Sequence, residues 1–223
     1  MAETGKKVVN LQTVRRLPTY LNMLKRLSQA EVPYISTTEL IKHLKYEPML
    51  VRKDLASLGI AGRQRLGYRP KELIRAIEEY LGWNDIGEAF LVGAGGLGGA
   101  LLGYRKFEEY GFKIVAAFDS DDAKVGRILH GIEVLHVSKL PDLANRMGVR
   151  VAVLTVPAES AQPVAGMLVA NGFIGIWNFT SEELHLPEGI VCHNENLAGG
   201  LALFTYKLRA LAAKEAGDAK DAV

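Results

Sequence analysis

Apolar residues recur at intervals of three and four through the first third of the chain, then gather into short runs that alternate with helical patterns. The first stripe, Val14, Leu17, Leu21, Leu24 and Leu27, predicts a helix from Thr13 to about Ala30, with Pro18 near its first turn, where a missing N–H is tolerated. Residues 1 to 12 lack firm periodicity and read as a frayed leader. Ser36-Thr37-Thr38-Glu39 has the spacing of a capping box ahead of Leu40, Ile41 and Leu44. After a turn at Lys45 and Tyr46, a third helix is predicted over about Glu47 to Leu58, stopped by Gly59, with Met49, Val51, Leu55 and Leu58 toward the core. A fourth, about Pro70 to Leu81, carries the stripe Leu73, Ile74, Ile77 and Leu81, and Gly82-Trp83-Asn84-Asp85 breaks the pattern as a boundary.

That core-facing set leaves Arg52 and Lys53 outward on the third helix, able to reach base edges or phosphates from a major groove. Gly62-Arg63-Gln64-Arg65-Leu66-Gly67-Tyr68 follows as a tight hairpin. Three helices with a tight turn between the last two fit a helix-turn-helix, and a hairpin placed after it is a wing whose Arg63 and Arg65, with Tyr68, lie toward a nucleic-acid backbone. A three-helix bundle with a basic surface loop fits the same pattern.

Beyond residue 85 the predicted elements are strand 90–92, helix 97–110, strand 114–118, a short strand 132–135, helix 138–147, strand 150–156, helix 159–171, and strands 175–179 and 190–193. This is α/β winding around a mostly parallel sheet. Its first turn carries Gly93, Gly95 and Gly98 at G-x-G-x-x-G spacing between strand and helix. Gly93 permits the turn, Gly95 allows a pyrophosphate to approach the backbone, and Gly98 lets helix and strand pack closely; Ala94, Gly96 and Leu97 complete the loop. Glycine-rich turns also arise where backbones merely pack close. Asp119 closes the second strand 21 residues after Gly98, where a carboxylate meets ribose hydroxyls and disfavours a 2′-phosphate, which points to NAD(H) over NADP(H). The lesser alternative for Asp119 is a strand-end turn residue beside Ser120, Asp121 and Asp122, and Lys124 is near enough to accommodate a phosphate. Thr155-Val156-Pro157 stands at the carboxyl edge of a strand, where such sheets bind ligands, although Pro157 also serves as a plain terminator. The last helix, Leu197 to about Lys214, shows Leu197, Leu201, Phe204, Leu208 and Leu211 on one face, to be covered by its own sheet or by self-association. The tail from Glu215 reads as too polar to fold.

Charge sharpens this division. Residues 1–85 hold 15 Lys and Arg against 9 Asp and Glu, and residues 86–223 hold 12 against 16, within a net charge of +2 for all 223 residues. A basic module ahead of an acidic one suits a polyanion-binding domain. The single cysteine, Cys192, excludes an intramolecular disulfide and reads as a small core hydrophobe. No stretch is apolar enough for a leader or a membrane span, so a cytoplasmic location without membrane partners is expected.

Arg15-Arg16-Leu17-Pro18, Val51-Arg52-Lys53-Asp54-Leu55, Gly67-Tyr68, the glycine turn, Phe118-Asp119-x-Asp121 and Thr155-Val156-Pro157, in this order over about residues 8–212, resemble the bacterial redox-sensing transcriptional repressor family Rex. The resemblance implies a winged helix-turn-helix DNA-binding domain at 1–82, a Rossmann-type NAD(H)-binding domain at 83–195 and a C-terminal helix at 196–214 swapped within a homodimer; on polarity, residues 215–223 are expected to be a disordered tail. It also implies a palindromic double-stranded operator that is released when NADH binds. Arg52 and Lys53 would contact DNA, Gly93, Gly95, Gly98 and Asp119 would hold NADH or NAD+, and Tyr104 would lie near the nicotinamide. Family members carry Asp-Phe where this chain has Asn196-Leu197, and their Asp pairs in one state with an arginine that matches Arg16. Arg16 and Asn196 are therefore the expected switch residues.

A dehydrogenase is the competing reading. It needs a proton-transferring group, yet no tyrosine has a lysine four residues on and the five histidines are scattered, so no catalytic residue and no metal site is assigned. A coenzyme A or other nucleotide-binding regulatory module shares the glycine turn without calling for Asp119.

Overall fold

A computed structural model describes residues 10–84 and 87–220, with side chains described to Ala212. The leader expected at 1–12 lies outside the described residues up to residue 9, as do residues 221–223. The chain divides into two compact units between Ile86 and Gly87.

The first unit holds α1 (Leu11–Gln29), α2 (Thr37–Leu44), α3 (Pro48–Ser57) and α4 (Pro70–Leu81). Asn10 starts α1 two residues ahead of the prediction, its Oδ1 accepting from the Gln12 N–H at 2.9 Å, so Leu11 and Gln12 are helical. This sets Pro18 in the interior of the helix rather than in its first turn. The expected stripe is present in Leu17, Leu21 and Leu24, widened by buried Tyr20 and Met23, while Val14 and Leu27 are half-buried. Ser36 and Glu39 form the capping box in both directions, Glu39 N–H to Ser36 Oγ at 3.2 Å and Ser36 N–H to Glu39 Oε2 at 2.8 Å. Helices α1 to α4 close on Leu17, Leu24, Ile35, Leu40, Val51, Leu55, Leu73 and Ile77, with Trp83 partly buried against this core. Met49, expected inside, is 63 % exposed, and Leu58 is half-buried. The inward positions of α3 belong to Val51, Asp54 and Leu55, and the acid among them was not foreseen.

The hairpin is formed. Arg63 pairs with Gly67, and Ile35 with Tyr68 through two 2.8 Å bonds, which ties the wing to the connector ahead of α2. Gly67 sits at φ +92°, and a Cβ there would run into the Ile35 carbonyl oxygen, so only glycine fits.

The second unit is a seven-stranded sheet of β1 (Gly87–Val92), β2 (Phe112–Asp119), β3 (Ile128–Leu129), β4 (Ile132–His136), β5 (Val151–Leu154), β6 (Gly175–Asn178) and β7 (Val191–Asn194). The order is β3-β4-β2-β1-β5-β6-β7, parallel except for the β3–β4 hairpin at one edge. β3 is too short to leave a periodic signal. Helices α7 (Leu140–Met147) and α8 (Ala158–Ala170) pack on the sheet over a core centred on Phe90, Phe118, Leu154, Leu168 and Phe173, and α5 (Gly96–Leu102) and α6 (Lys106–Glu109) lie between β1 and β2 in the chain.

Four sequence expectations are corrected here. The single helix at 97–110 is broken into α5 and α6, with Gly103 closing α5, and the His130 ring lies against Gly103, where a Cβ would approach it to 2.6 Å. The strand predicted to residue 156 ends at Leu154, and the helix predicted from 138 opens as a 3-10 turn over Val137–Lys139. The last helix, α9, runs over Leu197–Lys220, well into the tail expected to be unfolded. Polarity denies that tail a core, yet its alanines favour helix. The apolar face of α9 does not pack on its own sheet: Leu197, Leu201, Phe204, Leu208 and Leu211 are 48–64 % exposed. Cys192 on β7 is half-buried, and its burial pushes the thiol pKa up, as suits a packing role. Among the described residues no helix is long and apolar enough to cross a membrane, and no metal-ligating group of three is found.

Candidate functional site

Neighbours on opposite sides of β1 come from different parts of the chain, β2 on one side and β5 on the other, and the crevice at their carboxyl ends is where ligands of such sheets bind. Gly93, at φ +102°, turns the chain there, and a Cβ on it would meet the Thr155 backbone at 2.7 Å. Gly98 is packed still closer: a Cβ would strike the Gly93 carbonyl oxygen and lie 2.9 Å from Thr155 Oγ1, whose hydroxyl donates to that same carbonyl at 2.7 Å. At Gly95 and Gly96 a Cβ would meet nothing within 4 Å. The loop is therefore tight where it packs and open where it faces the crevice, as a pyrophosphate cradle requires. The first backbone bond of α5 runs from Gly99 N–H to Gly95 C=O, so the amides ahead of it, from Gly96 to Gly98, point free of the helix.

Gly93, Gly95, Asp119, Lys124, Thr155, Val156 and Pro157 line one cleft of about 500 Å³. Asp119 is buried at its floor. Its Oδ2 accepts from the Ala94 N–H at 2.8 Å and pairs with Lys124 Nζ at 3.0 Å, and its Oδ1 accepts from the Asp121 N–H at 2.9 Å. Burial alone would raise this carboxyl, but the Asp121 amide, the Lys124 ammonium and the Ala94 amide outweigh it and hold the pKa below the usual carboxylate range. A carboxylate fixed on both sides is preorganised, and Lys124 belongs to its setting rather than standing apart as a phosphate ligand. Tyr104 does not line this cleft. It stands beyond the end of α5, 47 % exposed, in a separate hollow with Phe107, Phe112 and His130.

In the first unit Arg52 and Lys53 are exposed on α3, and Arg63 and Arg65 are exposed on the wing, as the pattern requires. Tyr68 is half-buried, its ring lying against Gly62. Arg63 and Arg69 both stack over Tyr34, each 5.5 Å from the ring centre. Behind α3, Asp54 accepts from Thr13 Oγ1 (2.9 Å), Arg16 Nε (2.8 Å), Arg16 Nη2 (2.6 Å) and Tyr20 OH (3.0 Å). Burial would raise Asp54, yet the bonds from Arg16, Thr13 and Tyr20 hold it below its ordinary value; burial and the same carboxylate push the Tyr20 phenol up. Arg16 is thus spent on Asp54, fixing the recognition helix to α1. Asn196 is also engaged: its Oδ1 accepts from the Gly199 N–H at 2.7 Å and caps α9.

Sequence reasoning missed Asp54 and Glu195. Glu195, one residue before the cap, takes a hydrogen bond from Trp177 Nε1 at 2.9 Å and has His193 Nε2 at 3.4 Å. An acid immediately ahead of a capping Asn is a local signal, but its indole partner is 18 residues away.

A helix-turn-helix with a wing, joined to a unit with a dinucleotide-type cleft, defines a ligand-responsive DNA-binding regulator. Residues 84–182 match the CoA binding domain family model, and residues 9–56 match that of the putative DNA-binding protein N-terminus. The redox-sensing transcriptional repressor Rex of Treponema denticola is 42% identical over 197 residues, 88% of this chain and 94% of that protein, and that of Bacteroides fragilis is 40% identical over 196 residues, 88% and 89%. The crystal structure of RSP, a Rex-family repressor, in complex with beta-NAD+ and operator DNA superposes with a TM-score of 0.84 at 31% identity, covering 95% of this chain and 99% of that one. RSP in complex with beta-NADH gives 0.82 at 30% identity, covering 94% and 99%. This chain belongs to the redox-sensing transcriptional repressor Rex family. These relatives are named as repressors, not enzymes, so the dehydrogenase reading is set aside.

Proposed function

We propose that this chain represses transcription by holding a palindromic operator as a homodimer and letting go when NADH binds. What carries the reading is the likeness, over nearly the whole chain, to a repressor solved with NAD+ and operator DNA and again with NADH. Gly93 to Gly98 hold the pyrophosphate, Asp119 accepts from the ribose hydroxyls, and Thr155, Val156 and Pro157 wall the cleft. With the adenosine end at Asp119 on β2, the strand order directs the other half of the dinucleotide across β1 toward β5 and β6. The bound cofactor supplies no reaction, only a ring that is cationic when oxidised and neutral when reduced. Arg52 and Lys53 read the major groove, while Arg63, Arg65 and Tyr68 brace the wing on the backbone. A switch through Arg16 must loosen its two bonds to Asp54. The exposed face of α9 calls for a second copy of the chain, since burying each of its large side chains is worth about 1.5–3 kcal/mol.

The family-model match keeps a coenzyme A module as a second reading. Random DNA duplexes selected on immobilised protein and eluted in turn with NADH, NAD+, coenzyme A and salt separate the two. A palindrome enriched in the NADH eluate is the expected result; elution by coenzyme A, or by salt alone without enrichment, refutes the proposal.

Asp119→Ala is expected to lower NADH affinity about tenfold or more, since a hydrogen bond to a charged group contributes about 1.5–3 kcal/mol, and to narrow the preference over NADPH. Titration of parent and variant with both dinucleotides checks this, and equal affinities in the parent would refute the ribose assignment.

A further inference from the structure

On β6, Ile176 and Asn178 face the buried core, and Trp177 points to the opposite side of the sheet. There its ring joins a continuous aromatic tier. Tyr104 meets Phe107 edge-on with centres 4.8 Å apart, Phe107 meets Trp177 at 5.4 Å, Phe112 touches both at 5.7 Å, and Trp177 meets Phe179 at 5.0 Å. The polar edge of the same indole reaches the other way, donating to Glu195 Oε1 at 2.9 Å. Glu195 is held through its backbone as well, its N–H donating to the Asn178 carbonyl at 2.8 Å. The next residue, Asn196, caps α9. Phe179, Glu195, Asn196 and Leu197 line a hollow at the carboxyl ends of β6 and β7, the side of the sheet toward which the dinucleotide is directed.

We propose that Trp177 is a positioning residue that ties the hollow at the carboxyl ends of β6 and β7, toward which the dinucleotide is directed, to the root of α9. The inference rests on the NADH-responsive reading above. Both ends of Trp177 are constrained, one by ring packing and one by a charge-assisted hydrogen bond, so a displacement of Phe179 is delivered through Trp177 to Glu195 and from there to the angle at which α9 leaves the sheet. Lying between two places is not evidence of coupling; a change in one must alter the equilibrium of the other.

Trp177→Phe keeps an aromatic ring in the tier and deletes the N–H; Glu195→Gln keeps an acceptor and deletes the charge. Full-length parent and variants are compared by NADH titration, by operator affinity with and without NADH, and by amide exchange over residues 196–201 with and without NADH. Trp177→Phe is expected to bind NADH within about threefold of the parent and to exchange its α9 root at least tenfold faster. Its NADH-induced loss of operator affinity should fall at least tenfold, while Glu195→Gln should retain part of the response. Parent-like exchange at the root in Trp177→Phe overturns the proposal, as does a faster root with an undiminished NADH response. A parent whose operator binding ignores NADH refutes the repressor reading instead. Exchange at the α9 root then decides on Trp177 alone: protection gained with NADH in the parent and lost in Trp177→Phe sustains the tie, and its absence in the parent overturns it.

Discussion

Asp54→Asn is expected to destabilise the first unit by about 3 kcal/mol and to weaken operator binding while leaving NADH affinity unchanged. The Asp54 side chain is 1% exposed and takes four hydrogen bonds from three residues. An amide offers one acceptor where there were two, and its NH2 faces donors from Arg16 or Tyr20. Breaking a buried ion pair by removing one partner costs about 3–5 kcal/mol. The lower end applies because the Arg16 side chain keeps 16% of its surface in water. At about 4–8 °C per kcal/mol for a domain of this size, the first thermal transition should fall by more than 10 °C. Asp54 also lies on α3 directly after Arg52 and Lys53, so losing its anchor to α1 frees the face that those two residues present. The effect has a definite pH dependence. A carboxyl whose folded pKa lies below its unfolded value, about 3.9, stabilises fully above that value and loses its contribution as pH falls through the folded one. The gap between parent and variant should therefore be constant near neutrality and close in acid. Melting curves of both proteins across pH measure it, and superimposable curves at pH 7 would show that the network contributes nothing.

Gly98→Ala is expected to reduce NADH affinity at least a hundredfold. The added methyl has no free volume: the Gly93 carbonyl oxygen, Thr155 Oγ1 and Leu91 Cδ2 already occupy its surroundings. Helix α5 must move off β1, and its first-turn amides move with it, out of line with the cleft. Overpacking of this kind costs about 1–3 kcal/mol of stability, so a fall in melting temperature should accompany the loss of binding. Gly95→Ala separates the two causes. Its methyl would touch no protein atom, so the fold should hold while the methyl occupies the space reserved for the pyrophosphate. Loss of NADH binding without loss of stability in Gly95→Ala, beside loss of both in Gly98→Ala, is the expected pair. Unimpaired binding in Gly98→Ala would mean that the glycine turn does not seat the dinucleotide.

Much of this was legible before any coordinates, because the features concerned are local. The capping box at Ser36 and Glu39, the wing between Gly62 and Tyr68, the glycine turn and the acid at the end of β2 each lie in a few consecutive residues whose spacing has a physical meaning. What escaped was long-range. Nothing near Gly103 announces that the His130 ring will rest against it. Nothing near Met49 says that the inward position on α3 will go to Asp54, because the residues that pay for burying that acid, Thr13, Arg16 and Tyr20, are on another helix. Trp177 looks like one more apolar residue in a strand until Glu195 is placed beside it. The reach of α9 past residue 214 is hidden for a different reason: polarity is a bar to burial and not to helix formation.

The two tryptophans fall one to each unit, Trp83 against the helical core of the first and Trp177 in the aromatic tier of the second. Each unit thus carries its own fluorophore, and single Trp→Phe variants turn a composite emission signal into two separate records of unfolding. The second record has a further use. Indole emission overlaps the absorption of a reduced nicotinamide and not that of an oxidised one, so quenching of Trp177 emission on addition of NADH but not of NAD+ is the expected optical record of the proposed dinucleotide binding.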